Sequence, residues 1–122
     1  MEVLGYKKSE RGSRPWGEWE VIETGTDFIV KKITVLPKKR LSLQSHDFRF
    51  EHWIIVKGNG KVTIKDDIFD CASNDSFFIP VKEKHRIENI SESDELIFIE
   101  VQTGEKLTEC DIVRYEDDFG RG

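Results

Sequence analysis

Between residues 28 and 99 the apolar side chains come in short runs, rich in β-branched and aromatic residues, that never settle into a helical period. Phe28-Ile29-Val30, Ile33-Thr34-Val35, Trp53-Ile54-Ile55-Val56, Val62-Thr63-Ile64, Phe77-Phe78-Ile79 and Leu96-Ile97-Phe98-Ile99 are the clearest. Such residues fit a pleated, half-buried surface. Turn signals separate them: Leu36-Pro37-Lys38, Lys57-Gly58-Asn59-Gly60, Lys65-Asp66-Asp67, Ser73-Asn74-Asp75 and Ser91-Glu92-Ser93-Asp94. Strands at this spacing predict an all-β sandwich or barrel. A length of 122 residues suits one domain with one core. The ends read differently. Residues 1–17 carry Gly, Ser and Pro and read as an N-terminal arm ahead of a barrel over 18–122. The acidic stretch from Asp111 to Asp118 reads as a tail that frays.

Charge excludes some functions. The net charge is −5, whereas general nucleic-acid binding needs clustered positive charge to displace counterions from phosphates. The basic clusters Lys38-Lys39-Arg40 and Lys82, Lys84, Arg86 read as solvated turns, with a local site for a phosphorylated small molecule as the sharper alternative. No apolar run approaches the ~20 residues of a membrane helix, and no h-region follows Met1 to Lys8. A cytoplasmic protein is expected. Cys71 and Cys110 lie far apart without a C-x-x-C partner, so reduced, structural roles are expected of both.

One constellation suggests chemistry. If residues 41–46 form a strand, Ser42, Gln44 and His46 project to one face. Glu51 opens the next strand and shares its face with Trp53 and Ile55. Much later, His85 follows Ile79-Pro80 and shares a face with Ile87 and Asn89. These segments can bring two imidazoles, a carboxylate and an amide oxygen to one point. Mixed nitrogen and oxygen donors suit one divalent ion, with Zn²⁺ leading and Mn²⁺, Fe²⁺, Co²⁺ or Ni²⁺ as alternatives. An open coordination position would admit substrate or water.

Gln44-Ser45-His46-Asp47-Phe48-Arg49-Phe50-Glu51 followed by Gly58 resembles the first cupin motif, and Asn74 to Pro80 followed by His85 and Asn89 resembles the second. The implied fold is a single small cupin, a double-stranded β-helix or jelly-roll barrel. A narrower resemblance rests on Arg14-Pro15-Trp16-Gly17, Glu51-His52-Trp53, His85-Arg86-Ile87-Glu88-Asn89, Glu100-Val101-Gln102-Thr103-Gly104 and Asp111-Ile112-Val113-Arg114. Together these are similar to the C-terminal cupin domain of type II phosphomannose isomerases, which usually follows a mannose-1-phosphate guanylyltransferase domain. The resemblance runs from about residue 14 to the end. It implies Gln44, His46, Glu51 and His85 as metal ligands, a phosphorylated hexose as substrate, and interconversion of mannose 6-phosphate and fructose 6-phosphate through an enediolate. It also implies a separate sugar nucleotidyltransferase as a partner. A homodimer is expected, with Trp16 anchoring the arm onto its own or a second subunit's barrel.

Arg49, between His46 and Glu51, is the expected catalytic residue, because its forked donors and fixed charge suit a phosphate or an enediolate oxygen. Lys84 and Arg121 are expected to hold the phosphate. His52 should point away from Glu51, as a structural or interface residue. The sequence also departs from the family pattern. Asp47 and Phe48 replace histidines, Phe50 replaces a small residue, Phe119 replaces a usual tyrosine, and Lys38 and Lys82 stand at glycine positions. A glycine adopts φ > 0 cheaply and a lysine does not. These changes fall at the rim rather than among the four ligands. Two other functions compete: a non-catalytic metal-binding cupin serving as a sugar-binding or interaction module, and an Fe²⁺ oxygenase, which the match outside the metal motifs argues against.

Overall fold

The computed structural model describes residues 7–108 and 110–120. Eleven strands follow in chain order: β1 Arg11–Arg14, β2 Gly17–Thr24, β3 Phe28–Val35, β4 Leu43–Ser45, β5 Arg49–Lys57, β6 Asn59–Ile64, β7 Asp67–Ala72, β8 Ser76–Ile79, β9 His85–Asn89, β10 Leu96–Gly104 and β11 Val113–Glu116. They form a six-stranded sheet ordered β1-β2-β3-β10-β5-β8 and a five-stranded sheet ordered β11-β4-β9-β6-β7. All pairings are antiparallel. This is a double-stranded β-helix, as the motifs predict.

Alternation explains why the strands close on one core. Along β5, Glu51, Trp53 and Ile55 are buried while Phe50, His52, Ile54 and Val56 face outward. Trp53 packs against Phe98 of β10, ring centroids 4.9 Å apart. Val35, Val62, Ile79, Ile87 and Leu96 complete the centre, each burial contributing about 1.5–3 kcal/mol. The apolar runs at 28–30 and 33–35 belong to a single strand, β3. Lys31 interrupts them in sequence but takes an inward position in the strand. It is 7% exposed, with its ammonium 4.7 Å from the centre of the Trp19 ring.

Both ends differ from expectation. From Arg11 onward the segment read as an arm is sheet: β1 pairs with β2 in register Arg11↔Glu20 to Arg14↔Gly17. Trp16 lies in this chain's own core, so its indole is not free to reach a second subunit. The acidic tail is docked rather than frayed. β11 pairs with β4, and Asp118 accepts from Arg40 Nε and Nη2 at 2.7 and 2.9 Å. Strand pairing and the ion pair offset the acidity that suggested fraying.

Turns fix the register between strands. Gly58 has φ +99°, and a Cβ there would lie 2.6 Å from the Glu95 carbonyl oxygen, so the motif glycine is sterically required. Lys38 and Lys82 do stand in left-handed backbone, φ 62° and 66°. Around Lys38, Pro37 precedes it and the Lys39 N–H returns to the Leu36 carbonyl at 3.1 Å. That is the type II arrangement that favours glycine at its third residue. A lysine in this conformation costs about 1–2 kcal/mol, partly offset by its smaller entropy loss on folding. Lys38→Gly should therefore stabilise the protein by about 0.5–1 kcal/mol. A raised urea midpoint with unchanged slope is the expected reading; a lowered midpoint would show that no strain is held there.

Candidate metal centre

Three strand ends converge inside the barrel. His46 follows β4, Glu51 lies early in β5 and His85 opens β9. All three are buried, at 1–2% exposure. His46 Nε2 lies 3.1 Å from Glu51 Oε2, and His85 Nε2 lies 3.7 Å from Glu51 Oε1. The three potential ligand atoms sit within 4.8 Å of one another.

The outer edges of both imidazoles are fixed. His46 Nδ1–H donates to the Asp111 carbonyl at 2.6 Å and His85 Nδ1–H to the Glu83 carbonyl at 2.9 Å. With each Nδ1 committed, each Nε2 keeps its lone pair for the interior, which is the orientation a metal-binding histidine needs. Burial pushes His85 down to about 4, against the opposing pull of Glu51. The ring therefore stays a neutral donor. Burial also opposes ionisation of Glu51, but the Arg49 guanidinium beside it holds its carboxyl well below the usual range.

Gln44 borders the same cavity and is the register partner of His85, so the two share a face. Its amide nitrogen donates to the Ser42 carbonyl at 3.3 Å. Arg49 is 8% exposed and lies within the cluster rather than at its mouth. Its Nε donates to Glu51 Oε2 at 2.8 Å, and its Nη2 lies 2.7 Å from the same oxygen and 3.0 Å from His46 Nε2. The cation held by these donors here is thus the guanidinium itself. Trp53 Nε1 donates to the other carboxylate oxygen at 2.9 Å.

The remaining predicted residues fall elsewhere. Lys84 is exposed, its ammonium 4.4 Å from the centre of the Tyr115 ring, and it does not line the cavity. Lys84 lies just before β9, whose inward face begins with His85. Arg121 lies outside the described residues. His52 is exposed and packs on Phe78, ring centroids 4.8 Å apart. Cys71 is buried and Cys110 exposed, and both are free thiols.

Other residues gain a role only from the fold. Asp111 grips the loop after His46: its carboxylate accepts from the Asp47 N–H at 2.7 Å and the Phe48 N–H at 3.0 Å. Gly104 lets that loop approach, since a Cβ there would lie 2.2 Å from the Phe48 carbonyl oxygen. Lys31, Arg114 and Glu100 line the cavity, whose volume is about 100 Å³. Arg114 faces inward as the register partner of Gln44. Glu100 is 5% exposed, and burial together with the charge of Glu51 pushes it up from 4.5 to about 7.

Residues 5–117 match the family described as mannose-6-phosphate isomerase C-terminal. The chain belongs to that family. Over 108 residues it is 47% identical to the xanthan biosynthesis protein XanB of Xanthomonas campestris pv. campestris strain B100, and 44% identical to the mannose-1-phosphate guanylyltransferase of Escherichia coli K12. Each match covers 88% of this chain but only 23% and 22% of the relative. The family domain is therefore less than a quarter of these proteins' length. Solved structures share its fold. KdgF from a Halomonas species superposes with a TM-score of 0.70 at 12% identity, over 76% of this chain and 84% of that one. An RmlC-like cupin from Shewanella frigidimarina NCIMB 400 gives 0.71 at 17% identity, over 87% and 94%.

These relatives correct the expected activity. They are named for guanylyl transfer to mannose 1-phosphate and for xanthan and alginate biosynthesis. Aldose–ketose isomerisation, which the motif resemblance implied, therefore does not carry over to this chain.

The Glu100 environment makes a testable statement about stability. A carboxyl that is neutral in the fold up to about pH 7, but ionised from about 4.5 when unfolded, binds more protons in the native state across that window. Its contribution to stability is full below pH 4.5 and is lost as pH rises through 7. Glu100→Gln removes this titration, and Gln102, whose Oε1 has no partner, can turn its amide to receive the new donor. The variant should gain on the order of 2 kcal/mol relative to the native chain between pH 5 and pH 8. Chemical denaturation at both pH values checks it; a pH-independent difference would overturn the assignment.

Proposed function

We propose that this chain is a metal-bearing sugar-phosphate module of the enzymes that activate mannose. His46 Nε2, Glu51 and His85 Nε2 would hold one divalent ion, with Gln44 as a fourth donor from the facing strand position. The observation that carries this reading is the pair of histidines whose Nδ1–H groups are both given to carbonyls, leaving two Nε2 lone pairs aimed at one ionised carboxylate. Two imidazoles and a carboxylate are a borderline donor set, for which Zn²⁺ is the first choice and Mn²⁺, Fe²⁺, Co²⁺ and Ni²⁺ are competent. A bound ion would supply Lewis acidity toward a ligand oxygen.

The protein's own residues do the rest. Asp111 orients His46 and the loop behind it, and Glu83 orients His85. Arg49 must give up its hold on Glu51 and His46 for those donors to turn to an ion, and its guanidinium then stands beside the site as a donor for an anionic ligand. Relatives named mannose-1-phosphate guanylyltransferase support a phosphorylated hexose as the ligand and guanylyl transfer as the activity this module serves, in a longer chain or beside a separate one. Two free thiols support assignment to the cytoplasm.

Metal analysis of protein purified without chelator and loaded with Zn²⁺, Co²⁺, Mn²⁺ or Ni²⁺ should find one ion per chain, reduced at least tenfold in occupancy in His85→Ala and Glu51→Gln. Mannose 1-phosphate should bind the loaded protein and not the chelator-stripped one. Absence of stoichiometric metal with every ion would sink the reading.

Asp111→Ala removes a grip on the ligand loop without touching a ligand atom. Metal affinity should fall about 10–100-fold, the usual effect of losing an orienting partner. Competition against a chromophoric chelator measures it, and an unchanged affinity would show that the loop holds itself.

A further inference from the structure

Half of the six-stranded sheet is apolar on both faces. β5 and β10 lie side by side in it, and their inward residues help to build the core. An antiparallel strand with one face in water alternates apolar and polar residues. Trp53-Ile54-Ile55-Val56 and Leu96-Ile97-Phe98-Ile99 do not alternate. Phe50, His52, Ile54 and Val56 point outward from β5 and are exposed. The register sets Ile99 of β10 beside Ile54 and Val101 beside His52, and Phe78 of the edge strand β8 flanks His52 from the other side. From Phe50 to Val56 and from Ile97 to Val101, no outward position carries a charge.

Composition does not explain this face, because charged residues make up 35% of the chain. They cover the sheet's other half, where Glu20 lies between Arg11 and Lys32 in register. The second sheet also carries charge on its outside, with Lys61 bound to Asp70 at 2.7 Å. The apolar half is large. Phe50, Ile54, Val56 and Phe78 are 37–52% exposed, and with their neighbours they present on the order of 500 Å² of apolar surface. A stable dimer buries roughly 800 Å² per partner, as an apolar centre with a polar rim. The patch is the size of such a centre. Its aromatic end is already braced: Phe50 and Phe78 stack with ring centroids 5.7 Å apart, and His52 lies 4.8 Å from Phe78. Braced rings lose little motion on meeting a partner.

We propose that two copies of the chain pack this face against itself, sheet on sheet, about a two-fold axis near Ile54 and Ile99. In a two-fold interface the same patch serves on both copies and must complement itself. Charge permits this, since an uncharged face meets itself without like-charge contact, and its margin carries both signs at Lys32 and Glu20. Relief permits it too. The bulky rings of Phe50 and Phe78 stand at one end and the smaller Val56 and Ile97 at the other, with Ile54 and Ile99 between them. Rotation about the middle lays each copy's rings over the other's aliphatic end, so the faces interdigitate as packed sheets do. The expected homodimer thereby gains an interface that Trp16 does not supply, because that indole lies in its own chain's core. The face is on the outside of the barrel and owes nothing to the metal centre.

Sedimentation equilibrium of the full chain at micromolar concentration tests this packing. The native chain should show twice its sequence mass. Ile54→Lys and Phe78→Lys should each raise the dimer dissociation constant about a hundredfold, because two-fold symmetry carries every new charge into the apolar centre twice. Ile68→Lys, at a 65% exposed position of β7 in the other sheet, should leave it unchanged. An equal mixture of Ile54→Lys and Ile54→Glu should restore the dimer, since position 54 faces its own copy across the axis. Far-UV circular dichroism checks that each variant is folded; if Ile54→Lys is not, Phe78→Lys on the edge strand reads the same face. A monomeric native chain, equal losses in Ile68→Lys, or no dimer in the mixture would overturn the proposal, and the first would leave the face to a partner of another kind.

Discussion

A single ionised carboxylate, buried at the centre of a barrel with fifteen buried apolar side chains among the described residues, organises this molecule. Leaving the Glu51 charge without partners would cost several kcal/mol. Its oxygens instead accept from Arg49 on one side and from the Trp53 indole N–H on the other, and Arg49 also reaches His46. Each partner arrives from a fixed place: Arg49 and Trp53 flank it at two-residue spacing on the inward face of β5, and His46 comes from the end of β4. Those places depend on the register of β5 with β10 and on the loop that Asp111 holds. Because the partners are shared, the cluster reports on the whole barrel.

The central residues were legible because their positions follow from strand alternation, a local property. Glu51, Trp53 and Ile55 share a face by period two, and β5 is long and regular. His46 and His85 needed the additional motif resemblance, since spacing cannot bring separate strands together. What stayed hidden depends on pairing far along the chain. Asp111 grips residues more than sixty positions earlier, and the motif that contains it carried the resemblance without giving Asp111 a role. Arg114 faces inward only because β11 pairs with β4. Lys31 looked like an interruption between two strands, yet strand geometry sends it inward to cover Trp19. Lys84 failed for the complementary reason: proximity to a site residue in sequence places a side chain on the opposite face as readily as beside it.

Rim substitutions were legible as conformational departures, and the backbone carries them. Lys38 and Lys82 both retain left-handed φ, so neither turn has relaxed to a shape that suits lysine. At Lys82 the conformation has a use: its N–H reaches the His46 carbonyl at 2.7 Å, tying the turn before His85 to the residue that follows β4. The chain keeps the turn because it closes the gap between two site segments. The strain is tolerated where the register it secures is worth more.

Arg49 and the proposed divalent ion would address the same atoms. The guanidinium neutralises Glu51 and lies against His46 Nε2, so the buried carboxylate does not stand alone. An arginine released from Glu51 would stand in a cavity also lined by Arg14, Lys31, Arg86 and Arg114, where added positive charge is unfavourable. The guanidinium is therefore held in place from two sides, by the carboxylate it neutralises and by the cations it would otherwise join.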